Sequence, residues 1–218
     1  MPSYTGRMLG TSRDFPLFPL GIVALPTESV PLHIFEERYR QMIEHCLDAE
    51  PGTPGREFGI VWLSDDGLKE VGCACEVERV LERMPDGRLN IVVRGTRPFR
   101  LLERQDDLPY PAGVVEFLPD SEADGIDEGQ QARELYRELV SQATDRELDD
   151  EELEQLDAYD MAGTVEFDLE AKQELLELRS ESERLSLLTG LLRSALERLD
   201  YIERAQARAL SNGKVRFG

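Results

Sequence analysis

Apolar and polar residues follow one another in changing rhythms along this chain, and each rhythm predicts a different element. Phe15 to Leu20 (FPLFPL) is apolar but holds two prolines, which suits an edge strand or an extended lead-in and argues against a central strand. Leu32 to Phe35 is a short extended piece behind Pro31. Phe35, Tyr39, Met42, Ile43 and Cys46 then recur at helical spacing, with Glu36, Glu37, Arg40, Gln41 and Glu44 on the opposite side, so a helix with one buried face is expected. The proline and glycine cluster at 51–55 ends it.

From residue 58 the period falls to that of strands. Phe58 to Leu63 is a short apolar run that reads as a buried strand, and Asp65-Asp66-Gly67 as its turn. Val71, Cys73, Cys75 and Val77 share one strand face, with Gly72, Ala74, Glu76 and Glu78 on the other. Pro85-Asp86-Gly87 is a hairpin turn, because Pro presets φ, Asp favours turn initiation and Gly tolerates positive φ. Leu89, Ile91 and Val93 alternate next. Gly95-Thr96 is expected to turn the chain, Arg97 to Leu102 to return, and Ala112 to Leu118 to form a last strand. Strand number and turn spacing predict a compact antiparallel barrel or sandwich.

After an acidic connection the period becomes helical. Ala132, Leu135, Tyr136, Leu139 and Val140 mark a first helix, and Thr144 with Glu147 reads as a capping box opening a second, with Leu148, Leu153, Leu156 and Tyr159 inside. Asp168 reads as the N-cap of a helix reaching Arg179, and Ser180 with Glu183 as another capping box. Behind it Leu185, Leu188, Leu192, Ala195, Leu199 and Ile202 hold a long apolar stripe.

Charge sharpens this division. The net charge is -20, and Pro119 to Glu183 alone carries 23 acidic against 5 basic residues. Such acidity repels a phosphate backbone, so nucleic acid is not an expected partner. The most apolar region, Phe15 to Phe35, is interrupted by Pro16, Pro19, Pro26 and Pro31 and lacks the unbroken run a membrane span requires, so no membrane association is expected. Nothing near Met1 to Arg13 has the apolar core of an export signal. Three cysteines, an odd number, do not describe a disulfide framework, and a cytoplasmic location is the expectation.

The order of several short blocks carries a resemblance. FPLFPL, Leu25-Pro26, the block from Pro31 to Arg40 (PLHIFEERYR), Val71-Gly72, Pro85-Asp86-Gly87, Gly95-Thr96-Arg97 with Phe99-Arg100, Pro109-Tyr110, the run from Lys172 to Glu177 (KQELLE) and Glu183-Arg184-Leu185 together resemble the N-terminal domain of Lon-type ATP-dependent proteases, also found as a free-standing protein. The resemblance covers roughly Phe15 to Leu210. It implies an α+β fold: an antiparallel β-barrel-like domain of PUA-like type with one helix, followed by a C-terminal α-helical bundle. The division expected is a flexible N-terminus at 1–13, a barrel at 14–119, a linker at 120–126, a bundle at 127–210 and a tail at 211–218. The resemblance further implies a non-catalytic module that recognises exposed apolar segments of unfolded or damaged polypeptides. No G-x-x-x-x-G-K-[ST] phosphate loop occurs, since Gly213-Lys214 is followed by Val215.

Candidate chemistry is sparse. Cys73 and Cys75, with Cys46, His33 or His45, could be imagined around zinc, but structural zinc sites use paired Cys-x₂₋₄-Cys spacing, and these thiols fall on apolar faces. No metal, no cofactor and no catalytic residue is expected. Aromatic and arginine side chains are what protein-binding surfaces concentrate. Leu32, Ile34, Phe35, Arg38, Tyr39, Trp62, Arg97, Phe99 and Tyr110 are therefore the candidates for a polypeptide-binding groove, with core packing the competing fate of each. The alternative is an adaptor that docks one folded protein through the acidic helical face of Glu147 to Asp160.

Overall fold

A computed structural model of the chain describes residues 10–50, 53–105, 107–121, 129–144 and 146–212. The chain divides into two compact units, Met1–Glu122 with Tyr159–Ser180, and Ala123–Ala158 with Glu181–Gly218.

The first unit is built on strands β1 (Thr11–Leu20), β2 (Ser29–Ile34), β3 (Glu57–Ser64), β4 (Gly67–Leu68), β5 (Val71–Arg83), β6 (Leu89–Gln105) and β7 (Ala112–Phe117), with helix α1 (Glu37–Asp48) after β2. The hydrogen-bonded order β1-β7-β6-β5-β3 closes on itself, because β1 also pairs with β3. The result is a barrel, with β2 added beside β6 and β4 beside β3. Thr11 and Ser12, expected in a flexible arm, already pair with Glu116 and Val115 in β7.

Closure through β1 corrects the edge-strand expectation, and the prolines explain how it is possible. The Leu17 N–H donates to the Pro111 carbonyl on the β7 side, at 2.8 Å. Successive backbone groups point to opposite sides of a strand. The nitrogen of Pro16 therefore points toward β3, whose pairing begins only at Leu17. That of Pro19 points back toward β7, whose pairing has ended by then. Each proline falls where no donor is needed.

The barrel interior is filled by Phe15, Leu17, Val61, Ala74, Phe99, Val115 and Phe117. The Phe15 ring meets Phe99 edge-on at 5.4 Å and Phe117 at 5.5 Å, a favoured aromatic geometry. Phe58 and Ile60 pair with Cys75 and Cys73 and point to the opposite face. There α1 lays down Tyr39, Met42, Ile43 and Cys46; the Phe18 ring lies 4.1 Å from Tyr39 and 6.4 Å from Phe58. Burial on both faces is why Val71–Cys75 is inaccessible throughout rather than alternately.

Gly95-Thr96 is not a turn. β6 runs through it unbroken, and Thr96 is the extra residue of a bulge between the Ala74–Arg97 and Cys75–Gly95 pairs. Gly95 donates to the Glu28 carbonyl and accepts from the Thr27 N–H, both at 2.9 Å. A Cβ there would collide with the Leu25 carbonyl. The close approach of two backbones requires the glycine.

Residues 159–180, expected within the bundle, group with the barrel instead. Helix α4 (Ala158–Ala162) leads into α5 (Leu169–Glu177). Asp168 caps α5 as expected, accepting from the Ala171 N–H at 2.8 Å. Two bonds from α5 supply the physical reason for the grouping: the Lys172 ammonium sits 2.6 and 2.8 Å from the Glu28 carboxylate oxygens, and the Gln173 side chain donates to the Val71 carbonyl at 3.1 Å.

The second unit pairs helix α2 (Gly129–Ala143) with α6 (Glu181–Asn212), α3 (Asp150–Glu154) lying between them in sequence. Ala132, Tyr136 and Leu139 are buried on α2; Leu185, Leu188, Leu192 and Leu196 are buried on α6. The expected box at Thr144 and Glu147 does not form. Asp149 and Glu152 make the capping box, and Thr144 instead bonds back to the Val140 carbonyl. The apolar stripe of α6 ends before Ile202, which is 44% exposed. At 1.5 Å per residue α6 is about 48 Å long and α2 about 22 Å, so α6 outruns its partner. The expected linker beyond Ser121, the first nine residues and the tail beyond Asn212 lie outside the described residues.

Candidate functional site

The segment Leu32–Tyr39 leaves the sheet and enters α1. Its strand, β2, pairs with β6 alone among the described residues, so one of its edges is open. Phe35 was expected on the buried helix face but is 60% exposed. The reason is local: Glu36 is still extended (φ -73, ψ 137) and α1 begins at Glu37, so helical spacing does not reach Phe35.

A groove of about 640 Å³ lies over the outer strands, lined by Pro31, Leu32, His33, Leu81, Asn90 and Ile91. Leu32 is half-buried there, and Leu81 is 57% exposed. His33 stacks on Phe35 at 5.8 Å between ring centres. His33 Nδ1 is 2.6 Å from Asn90 Oδ1, and Asn90 Nδ2 donates to Glu82 Oε2 at 2.9 Å. With the Asn90 amide oriented by Glu82, its oxygen accepts from His33 Nδ1.

A second groove, of about 320 Å³, is lined by Leu20, Arg38, Tyr39, Leu63, Leu68 and Arg104, among others. Arg38 lies 4.6 Å over the Tyr39 ring and pairs with Glu36 at 2.8 Å. Burial raises the Tyr39 hydroxyl above its ordinary pKa, with Arg38 pulling the other way. Leu63 is 52% exposed.

Of the sequence candidates, Leu32 lines the first groove and Arg38 with the edge of Tyr39 the second, while Phe35 is exposed beside His33. Ile34, Trp62, Phe99 and Tyr110 are buried. Phe99 is a barrel-interior residue, and Tyr110 packs edge-on against His45. Arg97 is turned to a fully buried Glu57 at 2.7 Å and lies 3.6 Å over the Phe117 ring, while the Thr96 hydroxyl is 2.7 Å from the same carboxylate. It holds the bulge rather than a groove. Leu63, Leu81 and Arg104 were missed. The available signal was the charge on both strand faces from Glu76 to Arg83, which places solvent on both sides of that stretch and leaves Leu81 uncovered.

Cys46, Cys73 and Cys75 are buried free thiols. Burial pushes Cys46 up to about 12 and Cys75 well above its ordinary value, the latter helped by neighbouring Cys73. Among the described residues no group of three or more His, Cys, Asp or Glu side chains is placed to hold a metal ion, and no helix is long and apolar enough to cross a membrane. On the acidic stretch Asp150 pairs with Arg137, and Glu152 with Arg146 at 2.8 Å.

The fold and surface define a small closed β-barrel domain with appended helices. The chain belongs to the family of the substrate-binding domain of ATP-dependent protease La (Lon), whose model matches residues 14–194. It is 27% identical over 203 residues to Lon protease 2 of Herpetosiphon aurantiacus, covering 87% of this chain and 25% of that protein. It is 26% identical over 220 residues to Lon protease 1 of Thermus thermophilus, covering 89% and 26%. The chain thus spans about a quarter of the length of these relatives. Among solved structures, the Lon N-terminal domain protein from Xanthomonas campestris superimposes with a TM-score of 0.61 at 28% identity, covering 81% of this chain and 96% of that one. The N-terminal domain of Mycobacterium avium complex Lon protease shares the fold, with a TM-score of 0.58 at 22% identity over 82% and 97%.

Proposed function

We propose that this chain is a non-catalytic, cytoplasmic binding module that captures exposed apolar segments of unfolded or damaged polypeptides along Leu32–Tyr39 and its two flanking grooves. The observation that carries the reading is the exposure of Phe35, Leu81 and Leu63 beside concave apolar surface, in a family defined by substrate binding. Such residues gain by being covered, roughly 25 cal/mol for each Å² of apolar surface removed from water. The open edge of β2 adds backbone groups that an extended chain can bond. The competing adaptor reading, with the acidic face as dock, is weakened because Arg137 and Arg146 already engage part of that face.

The test is fluorescence anisotropy of a labelled, permanently unfolded polypeptide titrated with the protein at low and high salt. Saturable binding that persists in salt, and weakens about tenfold in Phe35→Ala or Leu81→Ala, is the expected result. Both side chains are exposed, so these substitutions leave the barrel intact. Binding abolished by salt would favour the acidic face, and no binding would overturn the reading.

A further inference from the structure

The smaller groove differs from the larger in its charge. On a chain of net charge -20, it combines an apolar lining of Leu20, Leu63 and Leu68 with two arginines, Arg38 and Arg104, against the single acid Glu36. Glu36 is committed to Arg38, accepting from its guanidinium at 3.0 and 2.8 Å. Arg104 is exposed and makes no ion pair with any described residue. One uncompensated positive charge therefore faces an apolar depression in an otherwise acidic protein.

We propose that this groove takes the C-terminal end of a polypeptide whose last residues are apolar, with the terminal carboxylate held by Arg104. This rests on the polypeptide-binding reading above and specifies the class of segment bound. A groove of about 320 Å³ favours a terminus over an internal acidic side chain. It sits at the lower end of ligand-pocket volumes, so apolar and negative groups must enter within one or two residues of each other. A C-terminal leucine or phenylalanine carries both on a single Cα. A carboxylate and a guanidinium form charge-assisted, often bidentate bonds, and the adjoining apolar surface strengthens them by excluding water. Glu36 keeps Arg38 folded over Tyr39, leaving Arg104 as the open cation.

The experiment compares two labelled peptides of identical sequence ending in leucine and phenylalanine, one with a free α-carboxylate and one amidated. Each is titrated against the full chain and against Arg104→Gln. The free acid is expected to bind about tenfold more tightly than the amide, and Arg104→Gln to abolish that difference by weakening the free acid. Leu63→Ala is expected to weaken both peptides equally. Equal binding of acid and amide to the parent protein would overturn the inference while leaving apolar capture standing. So would an acid preference that survives in Arg104→Gln, or an amidated peptide with an internal aspartate that binds as well as the free acid. Failure of every peptide to bind would remove the inference together with the reading beneath it.

Discussion

The buried ion pairs of the barrel unit join distant parts of the chain, whereas the exposed pairs of the helical unit join nearer ones. In the barrel, Arg97 meets Glu57 across 40 positions of sequence and Lys172 meets Glu28 across 144, and all four side chains are largely buried. In the helical unit Arg146 pairs with Glu152 six residues on and Arg137 with Asp150 thirteen on, both at the surface, while Arg184, itself 2% exposed, pairs with Glu181 at i,i+3. A buried pair becomes costly when half of it is removed, because the remaining charge cannot return to water. An exposed pair relaxes into solvent and is worth little. The same residue types therefore carry different weights in the buried long-range pairs of the barrel unit and the exposed pairs Arg137–Asp150 and Arg146–Glu152.

The largest expected effect tests whether the barrel depends on close backbone contact. Gly95→Ala drives a methyl group into the Leu25 carbonyl and is expected to cost about 3 kcal/mol or more, or to prevent folding. Denaturant unfolding measures it, and a loss below about 1 kcal/mol would show that the loop can move aside. An alanine at Gly190, whose Cβ would meet nothing, is the matching control in the helical unit and should be neutral to stabilising.

Double-mutant cycles bear directly on the two kinds of ion pair. Glu57→Gln is expected to destabilise by about 3 kcal/mol, with strong coupling to Arg97→Gln. Arg137→Gln with Asp150→Asn is expected to couple by about 0.5 kcal/mol, falling in salt. Similar coupling in both cycles would erase the distinction.

Alkaline pH separates the units by another route, since the buried thiols Cys46, Cys73 and Cys75 all lie in the barrel. Cys46 ionises at about 12 in the folded chain against an ordinary 9.0. Below the lower value the thiol is protonated in both states and adds no pH dependence. Between the two values the unfolded chain releases a proton that the folded chain keeps, so stability falls as pH rises. The slope for one such thiol is about 1.4 kcal/mol per pH unit. Cys46→Ala should reduce the steepness of the alkaline loss by one proton, as read from unfolding free energies on either side of the thiol range. An unchanged slope would mean that Cys46 ionises freely in the folded state.

An effect smaller than those at Gly95 and Glu57 concerns strain. Thr27 has φ 66, a left-handed conformation that a β-branched residue adopts at a cost, and its N–H is held by the Gly95 carbonyl. Thr27→Gly is expected to stabilise by about 1 kcal/mol. A loss of stability would show that the Thr27 side chain contributes packing worth more than the strain.

The same contrast explains what could be read beforehand. The Asp168 cap, the Pro85-Asp86-Gly87 hairpin and the apolar faces of α1, α2 and α6 are local, and their residues carry the period and cap chemistry that define them. The bulge at Thr96 has the Gly-Thr composition of a turn, and only the partner strand shows that β6 continues. Phe35 fits the apolar helical spacing of α1, but the helix starts two residues later, at Glu37, so the spacing does not carry it to the buried face. Trp62, Phe99 and Tyr110 are attractive for binding by residue type, yet packing consumes them: Phe99 fills the barrel interior and Tyr110 packs on His45, while Tyr39 keeps only an edge in a groove.

The sequence by itself determined the family, the α+β class, the hairpin and the helices, because these follow from residue order and short-range periodicity. Tertiary structure alone decided that β1 closes the barrel despite its prolines, that residues 159–180 belong with the strands, and that Glu57 is buried under Arg97. It also decided that Phe35, Leu63, Leu81 and Arg104 are left facing water. Those outcomes depend on which distant backbone arrives beside each residue, and register and burial across 40 to 144 positions leave no periodic trace in the chain.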